Sequence, residues 1–181
     1  MDSSRFNGLP SAAMSVHSYS RCWLHLICGT LNREKLLNKE AAARVYRYLS
    51  EYVETKSVYM KINYVNADHV HALVDLPTGL AIEELIQLLK GSSSRWINAN
   101  NLLAGKFAWG RGYGAFSVSE SNVGEVAAYI AGQEQHHRVR TFADELHEFI
   151  ERHGLHWKDK ESRRNGFARQ QFACTGLKGR C

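Results

Sequence analysis

Apolar residues follow two different spacings along the chain. Four segments rich in apolar, β-branched and aromatic residues predict strands: 16–29, 58–65, 70–76 and the second half of 107–118. Between these segments, apolar residues recur every three or four positions at 39–55 and 82–99, which predicts two helices, the first with Asn38 as its N-cap. Two further amphipathic helices are predicted at 123–138 and 142–153.

The predicted order is β-α-β-β-α-β followed by helices. This order is typical of an α+β, ferredoxin-like split βαβ fold, with a four-stranded antiparallel sheet and two helices on one of its faces. The short 66–68 connection favours an antiparallel hairpin. The opposite face of the sheet is left open for a substrate or for one of the later helices.

Length and charge predict one folded domain with a basic tail. The 181 residues suit a single domain, which we place at 16–153 after a flexible extension at 1–15. The net charge of +5 resides in a tail at 154–181, which contains seven basic and two acidic residues. Such a tail can contact phosphates or can simply be solvated.

Other features of the composition predict a cytoplasmic protein. No apolar run is long enough to cross a membrane, and the N-terminus lacks the pattern of a signal peptide. The cysteines show no C-x-x-C spacing, so we interpret all four as free thiols: Cys22, Cys28, Cys174 and Cys181.

Two histidines on one predicted strand are the first candidates for chemistry. His69 and His71 point to the same face because side chains alternate along a strand, and Val70 points to the other face. Two neighbouring imidazoles can bind a divalent metal ion. His25, on the first strand, could lie near this metal or could be an ordinary sheet histidine.

The third helix carries Tyr129 and Gln133 one turn apart. A metal held partly by the Gln133 carbonyl would lie close to the Tyr129 hydroxyl. Tyrosine, with an ordinary pKa of about 10, is a weak nucleophile and needs an electrophile polarised by a metal. We therefore hypothesise attack by Tyr129 on a phosphodiester, with Mg²⁺ or Mn²⁺ held by two histidines and one amide. Alternatively, Tyr129 is a core or rim residue and Gln133 a surface residue.

Small, polar and basic residues in the second helix suit close approach to a DNA backbone: Lys90, Ser92, Ser93 and Arg95. An exposed, weakened helix segment would give the same pattern. We also assign Arg111, in the Gly-rich segment before the fourth strand, to the DNA-contacting set.

Three motifs occur together in a fixed order: the 69–71 histidine pair, the Trp-x-Arg-Gly-Tyr-Gly-Ala-Phe-Ser-Val run at 109–118, and Tyr-Ile-x-x-Gln-x-x-His-His at 129–137. Together with segments 19–25 and 89–95, they resemble the single-tyrosine HUH transposases of bacterial insertion sequences. The resemblance covers about residues 19–153.

The resemblance implies a DNA transposase that cleaves and rejoins single-stranded DNA at hairpin-bearing element ends. By this resemblance, His69, His71 and Gln133 are the metal ligands, and Tyr129 takes the 5′ phosphate as a covalent phosphotyrosine. The released 3′ hydroxyl later attacks another such junction and reseals the strand. An obligate homodimer is also implied, in which the tyrosine helix can complete the partner subunit's active site.

Two alternatives remain open at this point. A relaxase or a rolling-circle replication initiator uses the same histidine and tyrosine chemistry. A non-catalytic, ferredoxin-like nucleic-acid-binding module would instead stack bases on aromatic residues of the sheet, and Trp23, Tyr59 and Tyr64 could supply these.

Overall fold

A computed structural model of the chain describes residues 19–136 and 141–156. The chain divides into two compact units, one reaching Phe142 and the other starting at Ala143. The strands and helices, in chain order, are β1 (Trp23–Gly29), α1 (Lys39–Glu54), β2 (Tyr59–Val65), β3 (His69–Asp75), α2 (Ile82–Ala99), β4 (Gly114–Val118), α3 (Val123–Ala131), α4 (Gln133–His136) and α5 (Phe142–Arg152). The predicted β-α-β-β-α-β order is confirmed.

The four strands form one antiparallel sheet with the order β2-β3-β1-β4. This is the predicted α+β, ferredoxin-like arrangement. In the register of β1 and β3, Ile27 lies opposite His71 and His25 lies opposite Leu73. His25 and His71 are therefore diagonal neighbours on one face of the sheet.

The two faces of the sheet carry different clusters. On one face, α1 and α2 pack against the strands and form the larger apolar core, which includes Leu26, Val74, Val45 and Ile97. On the other face, a smaller cluster joins two sheet residues to two residues of α3: Trp23, Leu73, Val123 and Ile130. Helix α3 thus occupies the face that the sequence left open.

Helix boundaries follow local chemistry. The side chain of Asn38 accepts a hydrogen bond from the backbone N–H of Ala41 at 2.8 Å, so the predicted N-cap of α1 is confirmed. The prediction of a continuous helix over 123–138 is wrong, because α3 ends at Ala131. Gly132 departs from helical geometry with a ψ of 2°, and glycine is a poor helix former. Residues 137–140 lie outside the described residues.

The cysteines of the described chain are free thiols, with Cys22 exposed and Cys28 buried. Burial raises the pKa of the Cys28 thiol to about 12, so this thiol is neutral at physiological pH. Cys174 and Cys181 lie outside the described residues, as does most of the basic tail. Within the described ranges, none of the helices has the length and hydropathy needed to cross a membrane.

Candidate active site

His69 and His71 lie on the α3 side of the sheet and are completely buried. Their ring centroids are 5.0 Å apart and the ring planes are nearly perpendicular, at 81°. A ring nitrogen of one lies within 4.8 Å of a ring nitrogen of the other. The predicted placement of the two imidazoles on one face is therefore correct, and the pair could hold a metal ion.

The residue before β3 contacts the first of these histidines. The carboxylate Oδ1 of Asp68 lies 2.5 Å from Nδ1 of His69. Phe142, the last residue of the first compact unit, stacks on the same imidazole with 4.2 Å between ring centroids and 7° between planes. His69 is thus fixed both at one ring nitrogen and across one ring face.

His25 contacts the second histidine directly. Its Nε2 lies 3.0 Å from Nδ1 of His71, and its side chain is buried. Of the two positions considered from the sequence, the structure places His25 beside the predicted metal ligands. Metal-binding histidines commonly donate a hydrogen bond from the ring nitrogen that does not bind the metal.

Tyr129 is brought to the same place by α3. Its ring centroid lies 6.3 Å from that of His71 and 6.2 Å from that of His25, both in edge-on geometry. The next residue, Ile130, is completely buried in the α3 cluster and anchors this turn of the helix. Tyr129 itself is half-buried, so a reactant can approach it from solvent.

Gln133 follows at the start of α4, immediately after the break at Gly132. Its side chain is completely buried, and its amide oxygen is shielded from solvent. The alternative of a surface glutamine is therefore wrong. Two imidazoles and a buried amide oxygen are a donor set that suits a divalent cation. His137 lies outside the described residues.

Two of the residues predicted to contact DNA form hydrogen bonds with other residues of the protein. Ser93 is completely buried, donates its hydroxyl proton to the Leu89 carbonyl at 2.6 Å and accepts from Nε1 of Trp109 at 2.9 Å. The ammonium group of Lys90 donates to backbone carbonyls of the Gly-rich segment, including that of Arg111 at 3.2 Å. A phosphate contact by Ser93 does not fit its burial, whereas Lys90 holds the segment that carries Arg111.

The other three predicted DNA contacts are accessible. Arg95 and Arg111 are exposed, and Ser92 is half-buried. The two guanidinium groups can therefore meet a phosphate without rearrangement of the core.

The aromatic residues of the sheet do not form an open stacking surface. Trp23 is buried against α3 residues, and its Nε1 donates to the carboxylate of Glu120 at 2.7 Å. Tyr64 packs against the same cluster; burial, reinforced by the charge of Glu134, raises the pKa of its hydroxyl. Only Tyr59 of the three is mainly exposed. A module that stacks bases on this sheet face therefore fits the structure poorly.

Residues 18–133, more than half of the chain, match the sequence model of the family described as IS200-like transposases. The chain belongs to this family. The resemblance to single-tyrosine HUH transposases is thereby confirmed, and the protein is a transposase, an enzyme that acts on DNA.

Two solved structures are similar to the chain. A candidate transposase from Deinococcus radiodurans R1 is 25% identical with a TM-score of 0.54, over 66% of this chain and 96% of that chain. A REP-associated tyrosine transposase bound to a REP hairpin is 15% identical with a TM-score of 0.48, over 68% of this chain and 74% of that chain. No curated protein sequence matches the chain.

Two residues of this site were missed in the sequence. Asp68 directly precedes the strand histidines, and a carboxylate at this position is a signal that could have been used. Phe142 carries no such signal, because its contact with His69 joins residues 73 positions apart and depends on how the chain returns after α4.

Proposed function

We propose that this transposase cleaves and rejoins single-stranded DNA at hairpin-bearing ends through a covalent 5′-phosphotyrosine on Tyr129. The observation that carries the proposal is the position of Tyr129, whose ring lies edge-on to His71 at 6.3 Å between centroids. This position would bring a candidate nucleophile beside a candidate metal ligand from a distant part of the sequence.

His69, His71 and Gln133 would hold Mg²⁺ or Mn²⁺. The support is the chemistry of the donors: all three side chains are completely buried, and their outer donor atoms, Nε2 of each histidine and Oε1 of the glutamine, are shielded from solvent. When bound, a divalent cation would neutralise charge that develops on a phosphate.

The proposed covalent step exchanges one phosphodiester bond for another. The Tyr129 oxygen loses its proton and forms a bond to phosphorus, while the bond from phosphorus to the 3′ oxygen breaks. The 3′ oxygen leaves with the electron pair and takes up a proton, which gives a free 3′ hydroxyl. Reversal with a different 3′ hydroxyl rejoins a strand, and no external energy source is needed because the number of phosphodiester bonds is unchanged.

Arg95, Arg111 and Ser92 would contact the DNA backbone, since all three are accessible to solvent. Lys90 would act by holding the Gly-rich segment, through carbonyls that include that of Gly112 at 3.3 Å. Charge reversal at Arg111 should therefore weaken DNA binding without a loss of stability.

The experiment that tests the proposal uses Tyr129→Phe. The substrates are single-stranded oligonucleotides that cover imperfect palindromes flanking the gene, with Mg²⁺ or Mn²⁺. Wild type is expected to form a covalent protein–DNA adduct on a denaturing gel, and Tyr129→Phe to bind the DNA but form none. Tyr46→Phe, an exposed tyrosine of α1, serves as the matched control and should react like wild type. Absence of an adduct with wild type on every hairpin substrate would overturn the proposal.

A homodimer with active sites shared between subunits is the further part of the proposal. Tyr129 lies beside His71 of its own chain, so sharing would require the tyrosine helix to exchange between subunits. Mixing His71→Ala protein with Tyr129→Phe protein tests this, because only a shared site unites an intact histidine pair with an intact tyrosine. Recovered cleavage in the exchanged heterodimer is expected; its absence would indicate that each chain uses its own tyrosine.

A further inference from the structure

We propose that Asp68 and His25 are positioning residues that hold the proton of His69 and His71 on Nδ1, so that Nε2 of both rings carries a lone pair for the metal. The inference rests on the metal site of the proposed function. It concerns two residues outside that ligand set, each in contact with one of its histidines.

The Asp68 contact determines the tautomer of His69. An ionised carboxylate only accepts hydrogen bonds, so the 2.5 Å contact between Oδ1 of Asp68 and Nδ1 of His69 requires the proton on Nδ1. In the neutral ring, Nε2 then carries the lone pair. Only 13% of the Asp68 side chain is exposed. This shielding from water strengthens the hydrogen bond relative to one in open water.

The His25 contact allows two arrangements, and only one suits a metal. If Nε2 of His25 donated to Nδ1 of His71, the proton of His71 would be on Nε2, and that nitrogen could not ligate. If Nδ1 of His71 donates instead, His25 accepts with its Nε2 and carries its own proton on Nδ1. Metal binding at Nε2 of His71 therefore requires His25 to be the acceptor across this 3.0 Å contact.

The fold places both partners without flexible segments. His25 lies within β1, hydrogen-bonded on one side to β3 and on the other to β4. Asp68 ends the connection before β3, and its backbone carbonyl accepts from the N–H of Thr30 at 2.7 Å. A rigid backbone on both partners is what a positioning role requires.

The two contacts differ in charge. The Asp68–His69 hydrogen bond has an ionised acceptor, and the His25–His71 bond joins two rings that are both buried. Charge-assisted hydrogen bonds are about twice as strong as neutral ones, so loss of the Asp68 carboxylate should reduce metal affinity more than loss of the His25 imidazole.

The test measures Mn²⁺ binding by the full-length protein without DNA, by electron paramagnetic resonance of free Mn²⁺ and by calorimetry. Asp68→Ala and His25→Leu are expected to weaken binding by roughly 10–100-fold, with Asp68→Ala the weaker binder. His25→Gln keeps an acceptor oxygen near Nδ1 of His71 and should recover most of the loss. Asp75→Ala, at the other end of β3, is the matched control and should bind like wild type.

Recovery of Mn²⁺ binding in His25→Gln would distinguish a positioning role from a role in folding. His25→Gln restores the hydrogen-bond acceptor, whereas His25→Leu lacks it. Circular dichroism of each variant confirms that the compared proteins are folded. If folded Asp68→Ala and His25→Leu bind Mn²⁺ as tightly as wild type, the positioning inference is overturned, whereas adduct formation by wild type would leave the proposed function standing. If the variants lose Mn²⁺ as expected but wild type forms no adduct, the positioning inference holds and the proposed covalent chemistry fails.

Discussion

Alternate residues of strand β3 point to the two faces of the sheet, and the two sets have different environments. Val70, Ala72 and Val74 enter the large apolar core beneath α1 and α2. His69 and His71, interleaved with them, point to the α3 side and contact other ionisable side chains. A shift of one residue in the strand register would exchange the two faces completely.

This difference indicates how the molecule separates stability from chemistry. The α1 and α2 face buries mainly aliphatic and aromatic side chains, so the hydrophobic effect is the main stabilising contribution there. The α3 face buries three imidazoles and an amide, and such groups are tolerated only when hydrogen bonds or a ligand compensate for lost water. Substitutions on the two faces should therefore have different consequences.

The largest effect on stability is expected from Leu26→Ala on the α1 and α2 face. Leu26 is 2% exposed within β1, and its truncation leaves a cavity between sheet and helices. The free energy of unfolding should fall by about 2–5 kcal/mol in urea denaturation. Mn²⁺ affinity of the folded variant should be unchanged. A loss of metal affinity at full stability would show that the two faces are not separable.

On the α3 face, His71→Leu should reduce Mn²⁺ affinity strongly and stability less. Removal of a ligand nitrogen should weaken Mn²⁺ binding by more than about 100-fold, or about 2.7 kcal/mol, which exceeds the effect of a supporting residue. Leucine has a similar volume, so the metal-free free energy of unfolding should fall less than in Leu26→Ala. Calorimetry and urea denaturation on the same two proteins make the comparison, and equal losses of stability would refute it.

The sequence predicted this division of faces but not the contacts within the site. Strand alternation follows from backbone geometry alone, so the shared face of His69 and His71 could be derived locally. The His25–His71 bond depends on which strands pair and in which register, a property of the whole sheet. The break at Gly132 was missed because a single glycine is tolerated within a helical pattern and so did not mark the end of α3.

A third prediction concerns Ser93, which was assigned from the sequence to DNA contact and which the structure shows to be buried in the protein core. Ser93→Ala removes the acceptor of the Trp109 indole N–H and leaves a buried donor without this partner. The expected cost is about 1–3 kcal/mol of unfolding free energy, with no change in DNA affinity. Ser94→Ala, whose hydroxyl makes only an exposed 3.4 Å contact with the Gly91 carbonyl, is the control and should change stability little. Weaker DNA binding by folded Ser93→Ala would restore the original assignment.

The smallest expected effect on stability is that of Gly132→Ala, at the break between α3 and α4. A Cβ at Gly132 meets nothing closer than the Ala128 carbonyl oxygen at 3.4 Å, and its φ of −82° suits alanine. Stability should therefore rise by about 0.4–1 kcal/mol, as it should for Gly124→Ala earlier in α3. If the break between Tyr129 and Gln133 matters for the proposed reaction, only Gly132→Ala should slow adduct formation. Equal adduct rates in the two variants would show that the reaction does not require a glycine at this break.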